Sequence, residues 1–159
     1  MSTLASHLDH STVVCRCEAS SRKRVLETIA STVAASGRGA PSPQTPDLFE
    51  GLLARERLGS TAIGEGVAIP HCRHDVADIR VCLLTTKSRI DYEASDGEAV
   101  DIFFALIVPQ DEHTAHLRAL AVLSTILADA ENRSRLRACE DEARLLQEMQ
   151  SLLAKTETT

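Results

Sequence analysis

The sequence predicts an α/β fold, a sandwich in which a mixed β-sheet is flanked by helices, formed by a single domain over residues 1–159. Several segments repeat their apolar residues with the period of a helix, whereas the middle of the chain contains short strand-like runs. The run Val100–Val108 is apolar almost throughout, which is typical of a central strand covered on both faces. Helices on either side of such strands form layers around one core.

The first predicted helix has apolar residues at helical spacing over Val25–Val33. Ser20 or Ser21 is its expected N-cap, because a serine hydroxyl accepts a hydrogen bond from a free amide of the first turn. Gly37 and Gly39 are expected to end this helix.

The second predicted helix follows a turn-rich connector, Ala40–Gln44. Thr45 is expected to be its N-cap, with Pro46 at the first helical position, where a missing amide costs nothing. Leucines recur over Leu48–Leu58, and Gly59 is expected to end the helix.

The predicted strands are Val67–Pro70, Arg80–Thr86 and Val100–Val108, with Ser11–Cys17 as a short edge strand. A polar stretch, Ile90–Glu98, carries an Asp-Gly turn signal and is expected to join the last two.

Three helices are predicted in the remaining chain. Asp111 is the expected cap of the first, whose apolar residues lie over Leu117–Leu127. Two shorter helices are expected around Glu131–Ala138 and Glu140–Leu153.

Composition limits the classes of function. The net charge of −6 argues against non-specific binding to nucleic acid or to an anionic membrane surface, and the aromatic content of 3% provides few stacking platforms for bases. Five cysteines without paired spacings do not form a disulfide framework. No signal peptide or apolar run of about 20 residues is present, so a cytoplasmic location is expected. Residues 1–10 and 155–159 are expected to be flexible.

His71 is the first candidate for chemistry. It follows a short apolar strand and the rigid Pro70, and an imidazole displayed at a strand end is a potential nucleophile near neutral pH. A surface or capping histidine is the alternative interpretation.

A metal site is a weaker interpretation. His113 and His116 fall on one helical face, and His71 or His74 would add a third ligand, but no HExxH or CxxC pattern accompanies them. A Cys72–His71 thiol–imidazole pair is geometrically poor, because adjacent residues of an extended chain point apart. Walker, dinucleotide-binding and Gly-x-Ser-x-Gly motifs are absent, so nucleotide binding and acyl transfer have no anchor.

One long segment has a more specific pattern. Arg55–His71, RERLGSTAIGEGVAIPH, resembles the signature of the fructose- and mannitol-type enzyme IIA family of the phosphotransferase system, and is most similar to its nitrogen-regulatory branch. The resemblance continues through Val100–Pro109, includes His116–Leu120, and covers about residues 21–150. Cys72 departs from it, since the family commonly has glycine there.

The resemblance implies a histidine phosphocarrier, a phosphotransferase if it is counted as an enzyme. His71 would accept a phosphoryl group from an HPr-like protein, His116 would orient it, and Arg55 would balance its charge. Ser60 and Thr61 would supply phosphoryl-binding donors. No cofactor, metal, nucleic acid or membrane insertion is implied.

The implied output is regulatory, through protein partners in nitrogen or potassium control. A sugar-specific enzyme IIA that passes the phosphoryl group to a IIB subunit is the alternative. Two further hypotheses remain. The first is a protein-binding module whose histidine site takes no part in its function, and the second, more remote, is a metal-dependent hydrolase.

Overall fold

A computed structural model describes residues 4–36 and 44–157. Gly37 and Gly39, which were predicted to end the first helix, and most of the predicted connector lie outside these residues. The six helices of the described chain are α1 (Leu4–His7), α2 (Arg22–Ala35), α3 (Thr45–Arg57), α4 (Thr114–Ala128), α5 (Ala130–Ala138) and α6 (Glu142–Glu157). The six strands are β1 (Val13–Cys17), β2 (Ala62–Gly64), β3 (Val67–Ala68), β4 (His71–His74), β5 (Arg80–Ile90) and β6 (Val100–Pro109), and a short 3-10 turn precedes β1.

The strands form one mixed sheet in the order β1-β5-β6-β3-β2, with β4 also paired to β6. β5 and β6 are antiparallel, and β1 runs parallel to β5 at one edge. The predicted edge strand and the predicted α/β architecture are therefore confirmed.

β3 and β4 are two halves of one line of chain along the same side of β6. Val67 is opposite Ile102 and His71 is opposite Leu106, both in parallel register. The strand was predicted to end at Pro70. It instead resumes after that residue, because the Pro70 carbonyl accepts a hydrogen bond from the Leu106 amide at 2.9 Å and the following residues pair with β6.

The sheet separates two apolar cores. The side chains of β6 alternate between them: Phe104 and Leu106 face the core with α4, α5 and α6, whereas Phe103 and Ile107 face the core with α2 and α3. This arrangement confirms that β6 is central and covered on both faces.

Two predicted helix caps are wrong by one or two residues. α3 is capped by Gln44 rather than Thr45, since the first helical bond runs from the Leu48 amide to the Gln44 carbonyl. α4 is preceded by His113 rather than Asp111. The Ser21 cap is confirmed by its hydroxyl, which accepts from the Arg24 amide at 3.2 Å.

The short helix α1 is joined to the end of α6. The carboxylate of Glu157 accepts hydrogen bonds from the amides of Leu4 and Ala5 at 3.0 and 3.2 Å. Leu4 is buried in the core beneath α6. Within the described residues, no helix combines the length and the apolarity needed to cross a membrane.

Candidate functional site

The ring of His71 is fixed from behind by the backbone. Its Nδ1 lies 2.7 Å from the carbonyl oxygen of Ile69. Because a carbonyl only accepts, Nδ1 carries the proton and donates this bond. The neutral ring therefore has its lone pair on Nε2, the nitrogen that is available for chemistry.

His116 lies beside His71. It is in the first turn of α4, and the two ring centroids are 5.2 Å apart with their planes inclined by 54°. Its Nδ1 is buried and has no hydrogen-bond partner among the described residues. The fold thus brings together two histidines that are separated by 45 positions in the sequence.

Arg55 completes this cluster from α3. The end of α3 lines the same groove as His71 and His116, together with Leu58. One guanidinium nitrogen of Arg55 donates to the carbonyl of Gly59 at 2.8 Å, and the residue is half-buried. The structure therefore assembles three of the five sequence-predicted site residues around one groove, with guanidinium donors left over for an anion.

The environment favours neutral imidazoles. Burial is the main cause that lowers the pKa of His71, and the positive charges of Arg55 and Arg73 lower it further, whereas the bond to Ile69 and the charge of Glu56 oppose this shift. Burial also lowers the pKa of His116, again with neighbouring cations contributing. Both rings are consequently uncharged at neutral pH.

Ser60 and Thr61 use their hydroxyls elsewhere. The hydroxyl of Ser60 donates to the carbonyl of Tyr92 at 2.7 Å. Thr61 is buried, and both its amide and its hydroxyl donate to the carboxylate of Glu56. Both hydroxyls therefore donate to acceptors within the protein.

Glu56 is a site residue that the sequence reasoning missed. It is only 3% exposed and holds the loop before β2 through Thr61. The carbonyl of Thr61 in turn accepts from the amide of Ile69 at 3.0 Å, and Ile69 holds His71. A buried carboxylate thus lies at the start of the chain of contacts that ends on the His71 ring. In the sequence, the only indication was that Glu56 directly follows Arg55 in a helix whose other regularly spaced residues are leucines.

The metal interpretation finds no support in the geometry. Among residues 4–36 and 44–157, no group of three or more His, Cys, Asp or Glu side chains is arranged to hold an ion. His113 instead has its Nδ1 3.1 Å from the guanidinium of Arg73, a second residue that sequence reasoning missed.

Cys72 lines the groove and also packs against α3. A Cβ added at Gly51 would lie 3.1 Å from its Sγ, so the glycine leaves the space that the thiol occupies. Burial raises the pKa of Cys72 to about 12, which keeps the thiol protonated at neutral pH.

Comparisons with known proteins place this geometry in a family. The model of the family described as "Phosphoenolpyruvate-dependent sugar phosphotransferase system, EIIA 2" matches residues 6–151. A nitrogen regulatory protein of Pseudomonas aeruginosa is 42% identical over 119 residues, which cover 74% of this chain and 75% of that protein. The nitrogen regulatory protein of Escherichia coli is 38% identical over 146 residues, covering 91% and 87% respectively.

Solved structures of related proteins have the same fold. The crystal structure of nitrogen regulatory protein IIA-Ntr from Neisseria meningitidis superposes with a TM-score of 0.85 at 31% identity, over 94% of this chain and 98% of that one. The mannitol IIA of Escherichia coli shares the fold with a TM-score of 0.72 at 16% identity, over 89% and 98% of the two chains. The sequence match, the shared fold and the clustered histidines lead to one conclusion: the chain belongs to the EIIA type-2 family of the phosphotransferase system.

Proposed function

We propose that the chain is a phosphocarrier that accepts a phosphoryl group on Nε2 of His71 from an HPr-like protein. The observation that carries this proposal is the 2.7 Å contact between Nδ1 and the Ile69 carbonyl, which fixes the tautomer and directs the Nε2 lone pair outwards. A neutral, oriented imidazole is the form that attacks phosphorus.

The proposed transfer conserves the phosphoryl group. The lone pair of Nε2 forms the new P–N bond while the P–N bond of the donor phosphohistidine breaks, and its electrons return to the donor imidazole. The proton on Nδ1 of His71 stays in its bond to Ile69 throughout. No metal or nucleotide is needed in this exchange, because the phosphoryl group passes from one imidazole to another.

Arg55 and His116 would stabilise the transferring group. Phosphoryl transfer depends on positioning and on compensation of the charge of the equatorial oxygens. The guanidinium of Arg55 offers paired donors to such oxygens, and the ring of His116 offers one more from the opposite element. We assign Ser60 and Thr61 to the support of the loop rather than to the phosphoryl group, because their hydroxyls are already engaged.

The donor would dock on the apolar rim of this groove. Leu58 is 85% exposed and Leu117, next to His116, is 67% exposed. Large exposed leucines beside reactive groups are typical of a protein interface. A protein donor is therefore favoured over a small-molecule donor.

We further propose a regulatory output through protein partners that distinguish the two phosphorylation states. The names of the nitrogen regulatory relatives support this choice. A phosphoryl group adds strong negative charge to the docking surface, which repels some partners and attracts others.

Transfer to a IIB subunit is the second candidate. Among similar solved structures is a complex of mannitol IIA with phosphorylated IIB of Escherichia coli, which shares this fold at 16% identity. The chain also matches part of a fructose-specific EIIABC component of Bacillus subtilis at 37% identity.

The first test is transfer from radiolabelled phosphoenolpyruvate through purified enzyme I and an HPr-type carrier. Wild type should acquire an acid-labile, base-stable label, and His71→Ala should acquire none. No label on wild type, with a donor proven active on its own cognate IIA, would favour a binding module instead.

A second test separates the two outputs. Labelled protein is mixed with purified fructose- and mannitol-type IIB domains, and the transfer of label is followed over time. Rapid transfer would support sugar uptake. A regulatory role predicts little transfer, together with binding to potassium-transport regulators or sensor kinases that changes when His71 is phosphorylated.

A further inference from the structure

Arg73 makes an unusual set of contacts next to the site. It lies two positions after His71 in β4, so the two side chains leave the strand on the same side. Its Nη1 donates to three backbone carbonyls at the end of β6 and in the β6–α4 loop. Its Nη2 lies 3.1 Å from Nδ1 of His113. The three carbonyl acceptors are Pro109 at 3.4 Å, Gln110 at 3.3 Å and Glu112 at 2.8 Å.

This loop leads directly into the helix that carries His116. The N-cap of α4 is His113, whose backbone is already in the right-handed helical region and whose side chain makes no capping hydrogen bond. Caps of the usual kind fix where a helix begins. Here the guanidinium of Arg73 fixes the entry to the helix from outside, three residues before His116.

The two arginines of the groove are engaged differently. Arg55 donates one hydrogen bond to the carbonyl of Gly59, just after the end of its own helix. Arg73 directs both terminal nitrogens at the segment before α4. A planar guanidinium can bridge several acceptors at fixed angles, whereas an ammonium group cannot reproduce that geometry.

We propose that Arg73 is a positioning residue that sets His116 against His71. By joining β4 to the start of α4, it fixes the two elements whose rings lie 5.2 Å apart. Its effect on phosphoryl transfer runs through His116, not through contact with the phosphoryl group. This inference rests on the proposed phosphocarrier function for its kinetic consequence, but not for its structural one.

Arg73→Lys is the decisive variant, because it keeps the positive charge and loses the bridging geometry. In single-turnover transfer from a phosphorylated HPr-type carrier, we expect the rate constant to fall about tenfold, since small misplacements of catalytic groups cost up to about 100-fold. The carrier concentration for half-maximal rate should change less than about twofold. Arg24→Met, at an exposed ion pair with Glu27 on α2, is the matched control and should transfer as wild type does.

A double-mutant cycle tests the route of the effect. If Arg73 acts through His116, Arg73→Lys should slow transfer by less than about twofold in a His116→Ala background. If Arg73 binds the phosphoryl group directly, it should slow transfer about tenfold in both backgrounds, and this outcome would overturn the inference.

A structural measurement keeps the inference testable without phosphorylation. Amide hydrogen exchange over residues 113–117 should accelerate at least about tenfold in Arg73→Lys, because the start of α4 loses the hydrogen bonds from the guanidinium. Exchange of the core amides of β6 should not change. The ring resonances of His116 should shift in the same variant. If wild type accepts no phosphoryl label while Arg73→Lys shows these changes, only the proposed function is contradicted. If exchange and the His116 ring resonances are the same in Arg73→Lys and wild type, the positioning role is contradicted.

Discussion

The Nδ1 atom of His71 lies 2.7 Å from the carbonyl oxygen of Ile69, only two residues earlier in the chain. Pro70 lies between them, and its ring restricts the backbone dihedral φ at that position. The same carbonyl cannot donate, so the contact determines which ring nitrogen is free. Sequence alone leaves this assignment open.

The modified nitrogen is therefore predictable. In protein labelled with ¹⁵N on histidine rings, unphosphorylated His71 should give the spectrum of an Nδ1–H tautomer at neutral pH. After transfer, the phosphorus coupling should appear on Nε2. Coupling on Nδ1 would mean that the ring leaves Ile69 before it reacts.

The rate of acceptance should depend on pH in one direction. Because burial lowers the pKa of His71 below the usual 6.5, the ring stays neutral and nucleophilic through that pH and the rate should hold down to slightly acidic conditions. Further acidification protonates Nε2 and stops transfer. A rate that already halves near pH 6.5, with the donor shown to remain active, would contradict this.

The same shift predicts a pH dependence of stability. The pKa values of His71 and His116 are lowered in the folded state, so the unfolded chain binds protons first as the pH falls below 6.5. The free energy of unfolding should decrease from that pH down to the folded-state pKa values. Urea unfolding at several pH values should show a weaker decrease in His71→Gln/His116→Gln than in wild type.

Glu56 should support both the stability and the site. Glu56→Ala leaves the buried amide and hydroxyl of Thr61 without their acceptor, which should cost about 1–3 kcal/mol in the free energy of unfolding. Thr61→Ser keeps both donors and is the matched control. Equal stability of Glu56→Ala and wild type in denaturant titrations would show that water replaces the carboxylate.

Cys72 should resist modification despite its position beside His71. With its pKa raised to about 12 by burial, almost none of the thiol is ionised at pH 8. Iodoacetamide followed by peptide mass spectrometry should label Cys72 only after unfolding. Fast alkylation of the folded protein would instead indicate an accessible thiolate at the site.

The exposed leucines should matter for docking and not for folding. Leu117→Asp or Leu58→Asp should raise the carrier concentration for half-maximal transfer, because each places a charge on the apolar rim. Neither should lower the unfolding midpoint, since both side chains are already largely in water. Ile63→Asp, at a residue 47% exposed in β2, provides a comparison for the effect of charge alone.

The sequence by itself determined the layered α/β architecture, because period and composition are local properties. The apolar run of β6 had to be central, and the helical spacing of α2 and α6 had to present one face to a core. The long motif that ends at His71 also identified the family before any geometry was known. These features depend on residues close to one another in the chain.

Only the tertiary structure decided what surrounds His71. The pairing of β4 with β6, the approach of His116 and the contacts of Arg73 join segments separated by more than 30 residues. The prediction that Ser60 and Thr61 supply phosphoryl-binding donors remains a prediction, and the structure adds that their hydroxyls donate to Tyr92 and Glu56. The acceptor of Ser60 lies 32 residues away and depends on packing between elements. Glu56 is only five residues from Thr61, but its burial depends on how α3 packs on the sheet.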